Sequence, residues 1–88
     1  MIQIQTDDRG QPYVEVENIR ITYVKADQRD RSKDWPGCDV LRIQAYKGDG
    51  TKSLHRGAEL PISSRDGWEG WSVLKAALEG LEAHIKHP

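Results

Sequence analysis

The first six residues alternate, with Ile2 and Ile4 on one side and Gln3 and Gln5 on the other. That is the pattern of a half-buried strand. Residues 7–12 then supply turn chemistry, with Asp7, Asp8 and Gly10 free to take turn conformations and Pro12 at the end. From Tyr13 to Val24 the chain again reads as a strand, a long one with a fault in it. Val14 and Val16 share one parity; Ile19, Ile21 and Tyr23 share the other. The slip falls at Glu17 and Asn18, and one apolar face survives it only through a bulge or a tight turn there.

Residues 25–37 break the pattern with a polar, charge-dense loop closed by Pro36 and Gly37. Loops of this length in a compact domain tend to be functional or mobile. Residues 38–46 resume the alternation: Leu41, Ile43 and Ala45 face one way, and Arg42, Gln44 and Tyr46 the other. A hairpin loop carrying Gly48 and Gly50 follows. Residues 53–62 return as the partner strand, with Leu54, Ala58, Leu60 and Ile62 on one parity and Arg56 among them. Pro61 cannot donate to a ladder, which makes that end an edge or a terminus.

The period then changes. Trp71, Leu74, Leu78, Leu81 and Ile85 recur at helical spacing and form one apolar stripe, widened by Trp68 and Ala77. Asp66 with Glu69 three residues on reads as a capping box. A helix of about twenty residues is a rod of about 30 Å, long enough to cross a four-stranded sheet. The expected fold is α+β: a single domain, residues 1–88, built as β-β-β-β-α, a four-stranded antiparallel curved sheet with one C-terminal helix packed across a face.

Composition narrows the function. A chain of 88 residues buries only about 60–65% of the surface that its unfolded form exposes. Its core is thin, and a dimer would relieve it. The single cysteine, Cys38, builds neither a disulfide framework nor a zinc site. No apolar run approaches the ~20 residues of a membrane span, and no signal-peptide pattern opens the chain, so a cytoplasmic protein is expected. His84 and His87 near the helix end favour its dipole without any metal. No nucleophile sits beside a base and no carboxylates pair, so neither an enzyme nor a bound cofactor or metal is expected.

The net charge is −1, but it is unevenly spread. Residues 20–56 hold nine bases and five acids, while both flanks are acidic. An anionic partner would meet the middle of the chain. If the helix covers one sheet face, the other shows Gln3, Gln5, Arg20, Thr22, Arg42, Gln44 and Tyr46. Guanidinium groups neutralise phosphates, a tyrosine ring stacks on a base, and amides adapt to base edges. Stacking needs an unpaired base, so such a face suits single strands. Trp35, set among Arg29, Arg31, Lys33 and Pro36, is either a stacking residue flanked by phosphate contacts or an indole pinning the loop to the core.

The stretch from Asp39 into the helix resembles the single-stranded-DNA-binding domain of the transcriptional coactivator positive cofactor four and its small bacterial and phage relatives. The residues that carry the resemblance are the strand LRIQAY, the loop KGDGTKSLH, the return strand RGAEL and the helix segment WSVL, with IRITYV as the preceding strand. It spans roughly residues 19–85. It implies a β-β-β-β-α homodimer joined through the helices, with single strands bound across the sheets. It places Tyr46 at the family's aromatic position, Gln44 at the family's arginine with Arg42 two residues earlier, Arg56 before Gly57, and Trp71 and Leu74 at the helix anchor.

The resulting expectation is a non-enzymatic, single-stranded DNA- or RNA-binding protein, an accessory factor in transcription or replication. Arg20, Lys33, Arg42, Lys52 and Arg56 would hold phosphates, Gln44 would reach base edges, and Tyr46 and Trp35 would stack on bases. The alternative is a small protein-interaction module, such as a phage or mobile-element protein docking on a host complex.

Overall fold

A computed structural model of the chain describes residues 2–30, 32, 34–50, 53–62 and 69–87. Five strands, not four, form one antiparallel meander: β1 (Gln5–Thr6), β2 (Pro12–Val16), β3 (Ile19–Val24), β4 (Val40–Ala45) and β5 (Ala58–Pro61), in that spatial order. A single helix, α1 (Gly70–Lys86), ends the chain.

The extra strand comes from the parity slip. Val16 pairs with Ile19, so Glu17 and Asn18 are a two-residue hairpin turn and not a bulge. Glu17 takes a φ of 56°, the left-handed value that such tight hairpins need at a central position. The turn restores the common face: Val14 lies opposite Ile21, and Ile21 opposite Ile43. Leu41 opposite Leu60 and Ile43 opposite Ala58 carry it into β5. The expected strand over residues 53–62 is shorter, beginning at Ala58, and Tyr46 meets Leu54 only in an isolated bridge.

Gly57 is fixed by the hairpin. Its φ is +77°, and a Cβ there would run into the Ile43 carbonyl oxygen and lie 2.6 Å from Gln44 Cγ.

The helix departs from expectation. It begins at Gly70 and is capped by Glu69 itself, whose side chain accepts from the backbone N–H groups of Trp71 (3.0 Å) and Ser72 (3.4 Å). Asp66 and Trp68 lie outside the described residues. Trp71 stacks on Tyr23 at 6.5 Å between ring centres, with the planes 8° apart. Beyond that anchor the helix does not lie across the sheet: every residue from Lys75 to His87 is exposed, Leu81 at 61% and Ile85 at 69%. A stripe at helical spacing requires a partner, and here its own sheet is not that partner. The radius of gyration of 14.6 Å exceeds the ~12 Å of a compact chain of this length.

Among the described residues the buried apolar side chains are few: Val24, Val40, Leu41 and Ile62. Val24 and Val40 pair across β3 and β4 on the face away from the helix. The loop after β3, with a 3₁₀ turn at Ala26–Gln28, folds back over that end of the sheet. Asp39 ties down its base, taking the Ala26 N–H at 2.9 Å and the Tyr23 hydroxyl. No described helix is long and apolar enough to cross a membrane.

Candidate nucleic-acid interface

The outer face of the sheet divides into a locked cluster and an open cleft. Cross-strand register sets the first: Glu15 is opposite Arg20, and Arg20 opposite Gln44. Arg20 Nη2 donates to Glu15 Oε1 at 2.8 Å and to the Tyr46 hydroxyl at 3.2 Å. The Tyr46 hydroxyl in turn donates to Glu15 Oε2 at 2.6 Å. The guanidinium also stacks over the Tyr13 ring, 4.3 Å from its centre. The Tyr46 hydrogen bond holds the Glu15 carboxyl below the usual carboxylate range; burial opposes this, and Arg20 adds to it. The same bond raises the Tyr46 phenol. Arg20 and Tyr46 therefore sit on the expected face, but with the Arg20 Nη2 and the Tyr46 hydroxyl already paired to an acid.

The cleft lies beside this cluster and measures about 580 Å³. Its floor is the outer face of β4 and β5; one wall is the loop after β3, the other the stretch before β5. It gathers Trp35, Arg42, Gln44 and Arg56, four of the residues that the sequence singles out. Lys33 and Lys52 lie outside the described residues. Among the described residues four arginines line it, the others being Arg9 and Arg29, against three carboxylates, Asp30, Asp34 and Glu59. Comparison of the chain with protein-family models, curated proteins and solved structures finds no match.

The cleft's charges are organised around Glu59. Register puts Glu59 opposite Arg42, which donates to it through Nε (3.3 Å) and Nη2 (3.1 Å). Arg29 reaches the same carboxylate from the loop at 3.5 Å. One acid thus serves two bases and leaves the pair with a net positive charge. Gln44 donates its amide to the His55 carbonyl at 3.2 Å, and its own side-chain carbonyl oxygen has no partner among the described residues. Arg56 is exposed and has no partner among the described residues. Trp35 is 53% exposed at the rim.

Sequence reading misses Arg9 and Glu59, and it takes Arg29 only as a phosphate contact flanking Trp35, not as a partner of Glu59. For Glu59 a signal exists, because once β5 is registered on β4 it falls opposite Arg42. For Arg9, and for the pairing of Arg29, there is none: each residue reaches the cleft from a turn or loop whose path no periodicity records.

The opposite face carries a groove of about 350 Å³ between sheet and helix, lined by Ile4, Val14, Ile21, Tyr23, Trp71 and Leu78 among others, almost wholly apolar. Among the described residues no three His, Cys, Asp or Glu side chains cluster as metal ligands would.

Proposed function

We propose that the chain is a non-enzymatic, single-stranded nucleic-acid-binding protein that takes the strand along the outer face of its sheet, through the cleft beneath Trp35. The observation that carries this reading is the convergence of an exposed indole, an exposed Arg56 with no partner among the described residues and a half-neutralised Arg42 beside an amide acceptor, all on one side of the fold. Phosphates attract guanidinium groups and set the register; a base face needs an aromatic platform. Only an unpaired strand offers both at once. The net charge of the cleft's described residues is small, so binding rests on stacking as well as on charge.

The protein acts in this reading as a homodimer joined through α1, with a second copy covering Leu78, Leu81 and Ile85 and the apolar groove. Their exposure supports it. The same surface favours the alternative, a module that docks on another protein, if the chain proves monomeric.

The test of function is fluorescence anisotropy of a labelled oligothymidylate titrated with the protein at low and moderate salt, with a duplex of equal length as control. Preference for the single strand, weakening with salt as counterions are released, supports the reading. Absence of binding at low salt overturns it.

A further inference from the structure

Asp39 ties the base of the loop after β3 to the sheet, and Arg29 fastens its tip. The side chain of Arg29 is only 4% exposed. Its Nη1 donates to the Trp35 carbonyl and its Nη2 to the Asp34 carbonyl, both at 2.6 Å. Nη2 also faces Glu59 of β5 at 3.5 Å. The fork therefore joins the backbone of the loop tip to the floor of the cleft. The residue it grips is in unusual geometry: Trp35 has a φ of 62°, in the left-handed region that bulky side chains rarely enter. Yet the residue is half exposed. An indole pinning a loop to the core would be buried. Here the pin is Arg29, and the indole is what it holds out.

We infer that Arg29, anchored on Glu59, is a positioning residue that presets Trp35 as the stacking wall for one unpaired base in the cleft. The inference rests on the nucleic-acid reading above and deepens it by naming how the site is set. Arg29 has too little exposed surface to meet a phosphate, so it acts through the two carbonyls. A strand entering the cleft meets a platform already in place, and less ordering is lost on binding.

The test is a double-mutant cycle on oligothymidylate binding by the full chain, with Trp35→Ala, Arg29→Met and the two combined, each across a salt series. Trp35→Ala is expected to weaken binding about 5- to 150-fold, the range of one lost stack. Arg29→Met is expected to approach that loss, and the double variant to add nothing further. The slope of log affinity against log salt stays unchanged in Arg29→Met, whereas a lost phosphate contact would lower it by about 0.7. Arg29→Lys, which keeps charge and length but not the fork, is expected not to restore binding. A readout without ligand accompanies these: the ¹⁵N heteronuclear NOE of the Trp35 indole N–H, high in the wild type and low in Arg29→Met and Arg29→Lys, while β3 and β4 amides keep their shifts.

Additive losses, a reduced salt slope in Arg29→Met, or an unchanged Trp35 NOE overturns the positioning role while leaving nucleic-acid binding intact. Wild-type protein that binds no oligonucleotide overturns the underlying reading, and this inference with it.

Discussion

The Tyr46 hydroxyl donates to Glu15 at 2.6 Å, and Arg20 closes the triangle by donating to both. The acid competes with any phosphate for Arg20 and tethers the ring that would stack. Replacing Glu15 with Gln removes the competing charge and keeps the shape. Oligothymidylate binding at low salt is then expected to tighten about two- to fivefold, the worth of one partly exposed ion pair. The anisotropy titration of Glu15→Gln against wild type measures it; weaker binding would mean that the cluster serves the fold and meets no ligand.

Gly57 lies against β4 with a positive φ and no room for a side chain. Gly57→Ala faces both a left-handed backbone cost of ~1–2 kcal/mol and a collision with the Ile43 carbonyl. A loss of at least about 2 kcal/mol is expected, read as a lower urea midpoint. Gly48→Ala, in open space without a positive φ, should change stability by less than about 1 kcal/mol.

Much of this sheet is legible in the sequence. Ile19, Ile21 and Tyr23 face Ala45, Ile43 and Leu41 in register, as their alternation requires, and the slip at Glu17 and Asn18 marks a real discontinuity. Two things are not legible, for physical reasons. Periodicity says that the stripe of α1 must be covered but not by what, so it suggests a helix lying on its own sheet where Leu81 and Ile85 stand in solvent. Nor does a polar loop announce which of its arginines is buried: Arg29 and Glu59 are 30 positions apart in the chain, and only the closure of the loop over Val24 and Val40 brings them together.

Tyr23 supplies a pH test. Its hydroxyl donates to Asp39, and that bond, with burial, pushes the phenol up to about 12. A folded-state value above the unfolded ~10 means that the folded state holds the proton longer. The associated stability is complete below pH ~10 and lost as the pH rises towards 12. Unfolding by urea across that window should show the wild type weakening more steeply than Tyr23→Phe. Parallel curves would show that the hydrogen bond is not kept in solution.

The exposed stripe of α1 predicts self-association. Sedimentation equilibrium should give a dimer for the wild type and a monomer for Leu78→Glu combined with Leu81→Glu. The strand signal in circular dichroism should persist, because neither residue is buried in the chain's own core. A monomeric wild type would favour docking on a different protein.

The most direct test of the nucleic-acid assignment is a ¹H–¹⁵N correlation spectrum of the labelled protein titrated with a short oligothymidylate. The account predicts shifts concentrated at the Trp35 indole N–H, the Gln44 side-chain amide and the backbone amides of Arg42 and Arg56, with the C-terminal half of α1 unmoved. Shifts confined to α1 and the apolar groove, or no shifts at low salt, would contradict it.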